Sequence, residues 1–307
     1  MSLAFVFPGQ GSQSVGMLKE LAENFPEVEA TFKQASDVLG YDLWTLVQNG
    51  PAEKLNSTDI TQPAMLASGV ATWRIWQAQG GATPAVMAGH SLGEYTALVC
   101  AGSLDFADAV KLVSQRGKFM MEAVPAGTGA MAAILGMDDD AVRQLCADAA
   151  EGEVLEAVNY NSPGQVVVAG NKTAIDRVTV LAKERGAKRA LELPVSVPSH
   201  CALMQPAADK LAEVLAGVTF NAPAIPVINN VNVASVSSAE DIRNALTRQL
   251  YSPVRWVETI EKMAADGVDN VIECGPGKVL MGLNKRINKE MATAALLDTA
   301  SIEAALA

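Results

Sequence analysis

A Gly-x-Ser-x-Gly motif, with the sequence Gly-His-Ser-Leu-Gly at residues 89–93, sets narrow limits on how this chain can fold. It lies between an apolar run at 85–88 and an apolar stretch at 94–101 that has the composition of a helix. A serine in this setting occupies a sharp turn between strand and helix, where flanking glycines let the backbone pack tightly. Backbone N–H groups and the helix dipole at that end stabilise a developing oxyanion. The pattern predicts a nucleophile elbow with Ser91 as the nucleophile.

The same residues also permit a purely structural interpretation. Ser91 and Glu94 have the spacing of a capping box, in which two side chains satisfy the first N–H groups of a helix. A cap alone does not require a glycine on both sides of the serine, directly after a strand-like run. We therefore expect the catalytic arrangement, with the capping box as its alternative.

The composition favours an α/β protein of one large domain or two unequal ones. The chain has 307 residues, of which 50% are hydrophobic and only 5% aromatic. A chain of this length and hydrophobic content can bury a substantial core. Plentiful alanine, valine and leucine suit helices that alternate with buried strands.

The charge and the cysteines exclude several classes of function. The net charge is -11, from 34 acidic and 23 basic residues, which argues against nucleic-acid binding and membrane adhesion. The N-terminus lacks the pattern of a signal peptide, and no apolar run has the length of a membrane span. Four cysteines are widely spaced without a C-x-x-C pair, so we expect neither a disulfide framework nor a metal site. A cytoplasmic protein is predicted.

The order of predicted elements indicates two domains. A strand at 3–7 runs into a glycine-rich loop at 8–13 that lacks the residues of a phosphate loop. From 130 to 193 the pattern is strand, helix, strand, strand, helix, strand, which is the ferredoxin-like order. We predict an α/β fold with a hydrolase-like large domain, containing a parallel sheet and the nucleophile elbow, at 1–126 and 197–307. A small inserted ferredoxin-like α+β domain is expected at 127–196.

The base for a serine nucleophile must be sought among two histidines. His90 adjoins the serine, so its ring is expected to point away from the hydroxyl. His200, at the exit from the inserted domain, is the better candidate. No acid between Ser91 and His200 stands out as its orienting group, so a backbone carbonyl is the alternative. Cys201 beside His200 suggests thiol catalysis, but neighbours in sequence rarely have that geometry.

An arginine lies on the apolar face of a predicted helix at 104–124. Arg116 stands at helical offsets from Ala109, Leu112, Val113 and Met120. A buried guanidinium needs acceptors, because an unpaired buried charge is costly. Its partner is either a structural acid, the commoner case, or the carboxylate of a substrate.

Several separated motifs resemble one family from end to end, in order and in spacing. The chain resembles the malonyl-CoA:acyl carrier protein transacylases of bacterial fatty acid synthesis, a group of acyltransferases. The matching motifs are Phe-Pro-Gly-Gln-Gly-Ser-Gln at 7–13, Gly-His-Ser-Leu-Gly-Glu at 89–94, Arg-Gly at 116–117, Val-Pro-Ser-His at 197–200, Gln-Leu-Tyr-Ser-Pro-Val at 249–254 and Glu-Cys-Gly-Pro-Gly at 273–277.

This resemblance implies a role for each motif residue. Ser91 would be acylated, His200 would act as general base and acid, and Arg116 would pair with the malonyl carboxylate. The backbone N–H groups of Gln10 and Leu92 would form the oxyanion hole. The main-chain carbonyl of Gln249 would orient His200, in place of the missing acid. Further substrate-binding positions are Gln62, Met120, Asn230 and His90.

The implied reaction is a ping-pong transfer of malonyl from malonyl-CoA to the phosphopantetheine thiol of acyl carrier protein, without a cofactor. Its main alternative is a serine hydrolase or thioesterase, which shares the elbow and the histidine. A non-enzymatic acyl-binding module would require both residues to be inert. We expect a monomer whose basic residues receive the acidic carrier protein. Two candidate groups are Arg177, Lys183, Arg185, Lys188 and Arg189, and Lys285, Arg286 and Lys289.

Overall fold

The computed structural model describes residues 2–195 and 197–307. Met1, and Ser196 at the predicted end of the small domain, lie outside the described residues. Two separate sheets organise the chain, one of five strands and one of four.

The strands are β1 (Leu3–Phe7), β2 (Val86–Gly89), β3 (Gly129–Leu135), β4 (Leu155–Ser162), β5 (Gln165–Asn171), β6 (Arg189–Glu192), β7 (Val227–Ile228), β8 (Asn270–Cys274) and β9 (Ala292–Leu296). The α-helices are α1 (Lys19–Asn24), α2 (Glu27–Leu39), α3 (Leu43–Asn49), α4 (Ala52–Leu55), α5 (Thr58–Ala78), α6 (Gly93–Cys100), α7 (Phe106–Ala123), α8 (Asp139–Ala150), α9 (Lys172–Glu184), α10 (Gln205–Ala216), α11 (Ala239–Gln249), α12 (Trp256–Ala265), α13 (Val279–Ile287) and α14 (Thr299–Leu306). A short 3-10 helix, Ala202–Met204, precedes α10.

The larger sheet is parallel and buried on both faces. Its strand order is β7-β2-β1-β8-β9, with parallel pairing at each step. Along β1, Phe5 and Phe7 face a core shared with α5 and α7, whereas Ala4 and Val6 face a second core shared with α12 and α13. Helices on both faces of a parallel sheet define the α/β class, as predicted.

The smaller sheet has the predicted ferredoxin-like arrangement. Its order is β4-β5-β3-β6, and all its pairs are antiparallel. One face packs against α8 and α9. The other face turns Met131, Val167 and Ala169 toward Cys201, which lies next to His200 in the chain. This contact joins the small sheet to the segment that carries the predicted base. The domain boundaries at 126–127 and 196–197 stay a prediction.

Sequence patterns missed several short or terminal elements. Apolar residues predict a helix over 62–79, but α5 begins at Thr58, and Pro63 lies within its first turns. The short helices α1, α3 and α4 are not predicted from the sequence. The sequence predicts that a helix after residue 278 is the last element, whereas strand β9 and helix α14 follow this helix, α13. None of the helices in the described ranges combines the length and the apolar character needed to cross a membrane.

Candidate active site

The Gly-His-Ser-Leu-Gly motif forms a sharp turn between β2 and α6. Ser91 has a φ of 51°, in the left-handed region that a serine rarely occupies. A Cβ on Gly89 would lie 1.8 Å from the carbonyl carbon of Gly93, and a Cβ on Gly93 would lie 2.0 Å from the Phe7 oxygen. Both glycines are therefore required by close backbone contacts. This is the strand-to-helix geometry of a nucleophile elbow.

The alternative of a capping box at Ser91 and Glu94 is wrong. The N-cap of α6 is Leu92, and no side chain caps this helix. The Glu94 carboxylate turns away from the helix end and accepts hydrogen bonds from the Asn230 main-chain N–H at 2.9 Å and from Gln249 Nε2 at 2.8 Å. The left-handed backbone at Ser91 leaves its hydroxyl available to other groups.

His200 lies against the Ser91 hydroxyl. Its Nε2 is 2.8 Å from Ser91 Oγ, and its Nδ1 is 2.7 Å from the main-chain oxygen of Gln249. A carbonyl can only accept, so Nδ1 carries the proton and Nε2 is free to accept one from the serine. Burial, followed by the positive charge of Arg116, lowers the pKa of His200 to about 3. The imidazole is thus neutral and in the tautomer that a general base requires.

Arg116 is almost completely buried, and neutral oxygens surround its guanidinium. One terminal nitrogen donates to Gln62 Oε1 at 2.8 Å, and the other donates to Gln249 Oε1 at 3.0 Å and to Ser91 Oγ at 3.3 Å. The group also lies 5.4 Å from the centre of the Tyr95 ring. Within the described residues it makes no ion pair with an acidic side chain. Of the two partners expected for Arg116, a directly bound structural acid is therefore not found.

The loop after β1 lies against the elbow. A Cβ on Gly9 would be 2.5 Å from the His90 oxygen, so only glycine permits this approach. The next residue, Gln10, lines the same cavity as Leu92 and Ser91. Neither the Gln10 nor the Leu92 main-chain N–H donates a hydrogen bond to another residue of 2–195 or 197–307. Two free N–H groups beside a serine are suited to bind an oxyanion.

A cavity of about 110 Å³ opens above Ser91, with walls from the smaller sheet, from helices α5 and α7, and from the loops around the elbow. The lining residues are Gln10, Thr58, His90, Ser91, Leu92, Arg116, Met120, Met131, Asn159, Leu193, Val195, Val197, Ser199 and His200.

The remaining residues predicted to bind substrate lie around the elbow and Arg116, and most of them contact protein groups. Asn230, in a segment expected to be a polar turn, is fully buried beneath the elbow. Its Oδ1 accepts from the Ser91 N–H at 2.8 Å, and its Nδ2 donates to the Gly89 oxygen at 2.7 Å. The His90 ring turns toward Asn161 Oδ1 at 2.8 Å, away from the serine hydroxyl. Gln62 reaches the site through Arg116, and its Nε2 lies 3.4 Å from the Met120 sulfur.

Sequence reasoning missed the positions of Glu94 and Asn159. Glu94 is 2% exposed, and an acidic residue at the head of an otherwise apolar helix was the available signal. Asn159 lines the cavity from β4 next to an irregularity in strand pairing, which nothing in the sequence marks.

The Cys201 thiol is buried, its pKa is raised to about 12 by that burial, and it donates to the Pro198 oxygen at 3.2 Å. This thiol is not suited to nucleophilic catalysis.

Comparison with known proteins shows which family model and which relatives the chain matches. A family model for the acyl transferase domain matches residues 4–302. The chain is 62% identical to the malonyl CoA-acyl carrier protein transacylase of Escherichia coli strain K12, over 99% of this chain and 98% of that relative.

Solved structures agree with this comparison. An acyl carrier protein S-malonyltransferase from Vibrio cholerae superimposes with a TM-score of 0.97 at 63% identity, over 99% of both chains. A malonyl-transacylase solved in complex with its type II PKS acyl-carrier protein superimposes with a TM-score of 0.99 at 59% identity, over 100% of this chain and 99% of that one.

Proposed function

Because this chain belongs to the acyl transferase family and its relatives are malonyl CoA-acyl carrier protein transacylases, we propose that it transfers malonyl from malonyl-CoA to acyl carrier protein. The acceptor is the phosphopantetheine thiol of the carrier, and the product supplies an extender unit for fatty acid synthesis. The observation that carries this proposal is that Ser91 Oγ lies within reach of a neutral imidazole and of a guanidinium that has no acidic partner in the part of the chain that the structure describes.

In the first half-reaction, Ser91 Oγ attacks the thioester carbon while His200 Nε2 accepts the hydroxyl proton. The negative charge that develops on the thioester oxygen is stabilised by the N–H groups of Gln10 and Leu92. Collapse of the tetrahedral intermediate breaks the C–S bond, and His200 returns its proton to the departing coenzyme A thiolate. The main-chain oxygen of Gln249 holds the imidazole in the required tautomer throughout.

In the second half-reaction, the phosphopantetheine thiol gives its proton to His200 and attacks the malonyl-serine. The C–O bond to Ser91 breaks, and the serine regains its proton from His200. Arg116 pairs with the malonyl carboxylate through both halves of the cycle. These steps use only protein side chains and main-chain groups, so no cofactor is required.

A serine hydrolase would share the elbow and the histidine but would release malonate instead of transferring malonyl. The relatives found by comparison are transacylases, which disfavours this alternative. The two activities are separated by incubating the protein with malonyl-CoA and holo acyl carrier protein. We expect malonyl-carrier to form in step with free coenzyme A. Release of coenzyme A accompanied by free malonate alone would instead identify a hydrolase.

The basic residues predicted to receive the carrier protein differ in their surroundings. In the small domain, Arg177 pairs with Glu153 at 2.6 Å and Arg185 pairs with Asp148 at 2.5 Å. On α13, Lys285 and Arg286 are exposed and make no ion pair within the described residues. This helix follows the 273–277 loop, where Gly277 lies next to Ser12 of the loop that carries Gln10. We therefore favour α13 as the docking surface for an acidic carrier.

A cytoplasmic enzyme is consistent with its substrates, which are coenzyme A thioesters, and with four cysteines that are free thiols. The monomeric state expected from the sequence stays a prediction.

A further inference from the structure

Among residues 2–195 and 197–307, no acidic side chain forms the ion pair with Arg116 that buried guanidinium groups commonly have. Its direct acceptors are the amide oxygens of Gln62 and Gln249, at 2.8 and 3.0 Å. A carboxylate nevertheless stands one side chain away, because Gln249 Nε2 donates to Glu94 Oε2 at 2.8 Å. The proposed acyl transfer gives this buried carboxylate no part.

The orientation of the Gln249 amide depends on Glu94. A glutamine amide has a donor end and an acceptor end, and the groups facing one end decide what the other end can bind. The donor end of Gln249 meets three acceptors, which are Glu94 Oε2, the Ser91 main-chain oxygen at 3.0 Å and, at the longer distance of 3.5 Å, Asn230 Oδ1. Only its acceptor end is then left to face Arg116. Glu94 itself is fixed by the main-chain N–H of Asn230 at 2.9 Å.

The neutral contacts of the Arg116 guanidinium determine how it can bind a ligand. A carboxylate in direct contact with Arg116 would compete with an acidic substrate for the same guanidinium. Neutral amide oxygens fix the side chain and leave its charge available to the ligand. Glu94 still supplies a compensating negative charge at a distance. Burial raises the pKa of Glu94 to about 7, and its two N–H donors and Arg116 oppose that rise.

We propose that Glu94 is a positioning residue for acyl-group selectivity. It fixes the Gln249 amide with its oxygen toward Arg116, so that the guanidinium is held by neutral acceptors and pairs with the free carboxylate of the acyl donor. This inference rests on the proposed malonyl transfer and adds to it the residue that prepares Arg116 for a diacid-derived substrate.

The direct test is Glu94→Gln, assayed by the rate of acylation of Ser91 with malonyl-CoA and with acetyl-CoA. The new side chain has nearly the same shape but carries no charge, so the oxygen that accepts from both Asn230 and Gln249 becomes a weaker acceptor and holds the Gln249 amide less firmly. We expect KM for malonyl-CoA to rise about tenfold, the cost of a weakened charge-assisted hydrogen bond, with little change in kcat. Acylation by acetyl-CoA should hardly change, so the malonyl preference falls by the same factor.

A double-mutant cycle separates this role from a general effect on the fold. If Glu94 acts through Arg116, then Glu94→Gln should not alter the malonyl-to-acetyl ratio further in an Arg116→Ala background. The matched control is Glu273→Gln. Glu273 is equally buried, but its Oε2 accepts from the Met281 N–H in the first turn of α13, at 2.7 Å. This control should leave the ratio unchanged.

Three outcomes would overturn the inference. They are an equal loss with both acyl donors, a stronger malonyl preference, and a Glu94→Gln effect that persists without Arg116. If Glu94→Gln does not fold, Gln62→Glu is the second test of the proposal, since it places a carboxylate directly against Arg116. It should also lower the malonyl preference, and an unchanged preference would contradict the proposal. The unaltered protein is measured in parallel, and a lack of malonyl adduct on it would refute the proposed function instead.

Discussion

Ser91 Oγ and His200 Nε2 lie 2.8 Å apart, although 109 residues separate them in the chain. Both residues have left-handed backbone, with φ values of 51° and 68°. Such conformations are costly outside glycine and persist only when the surrounding structure enforces them. Leu18, Glu151 and Val233 also have positive φ, but only Ser91 and His200 of these five belong to the proposed chemistry. Strained backbone at both of them is typical of a pre-organised active site.

His200 should make the stability of the protein depend on pH. Its pKa is about 3 in the folded protein, against 6.5 for an unperturbed histidine, so between these values the unfolded state binds a proton that the folded state does not. Stability from this residue is present above pH 6.5 and is lost as the pH falls. From pH 6.5 to pH 5 the loss is about 2 kcal/mol.

The comparison that isolates this effect is with His200→Asn, since asparagine tolerates left-handed backbone. The raised pKa values of Glu94 and Glu273, both about 7, act in the opposite direction but remain in both proteins. Between pH 7 and pH 5, the change in unfolding free energy measured by urea titration should therefore be more favourable in the variant than in the unaltered protein, by about 2 kcal/mol. The same change in the two proteins would show that His200 is not held neutral by the fold.

Gly89→Ala should disrupt the elbow. The added Cβ would lie 1.8 Å from backbone of Gly93, which cannot move without shifting the start of α6. We expect a loss of about 3 kcal/mol or more of unfolding free energy, together with loss of acylation. The control is Gly282→Ala in α13, where no atom lies within 4 Å of the new Cβ. That change should stabilise the protein by about 0.5 to 1 kcal/mol. A tolerated Gly89→Ala would contradict the tight packing of the elbow.

Charge reversal on α13 should weaken use of the carrier protein without affecting the first half-reaction. Lys285→Glu combined with Arg286→Glu places negative charge where an acidic carrier would dock. We expect KM for holo acyl carrier protein to rise about tenfold at low salt, with malonyl-CoA acylation unchanged. Lys183→Glu with Arg189→Glu makes the same charge change in the small domain for comparison. An unaffected carrier KM in the α13 variant would exclude this surface.

Much of the fold could be predicted because its longer elements carry periodic apolar patterns. The sequence predicts a helix at 27–39 and a strand at 270–274, and α2 and β8 have these bounds. Gly40 at the C-cap of α2 adopts left-handed backbone that ends the helix. The short helices α1 and α3 carry too few residues for a clear period. They are held by tertiary packing of Leu21 and Val47 in the main core.

The elements near the C-terminus were not predicted for another reason. Strand β9 is made largely of small residues, Ala-Thr-Ala-Ala-Leu, and has no alternating pattern. It forms by parallel pairing with β8 at the edge of the sheet, in register along its whole length. That pairing depends on a neighbour distant from any local signal.

The active site also contains contacts between distant residues that a local sequence pattern cannot predict. Local pattern located Ser91 and placed Arg116 on a buried helix face. It offered Glu94 only as half of an alternative capping box. It also predicted the turn at 229–232 but gave no sign that Asn230 is buried there, because Glu94 and Asn230 are 136 apart in sequence and meet only in the folded protein. Hydrogen bonds between buried polar side chains leave no periodic trace, and long-range pairing decided both positions.

The central proposal is that Ser91 accepts malonyl and that Arg116 selects it. The most direct measurement is intact-protein mass spectrometry after brief exposure to malonyl-CoA or acetyl-CoA, for the unaltered chain, Ser91→Ala and Arg116→Ala. We expect a malonyl adduct on the unaltered chain, no adduct on Ser91→Ala, and a shift toward acetyl in Arg116→Ala, because loss of the guanidinium removes the partner of the malonyl carboxylate. A malonyl adduct that survives in Ser91→Ala, or an unaltered chain that releases coenzyme A without forming an adduct, would contradict it.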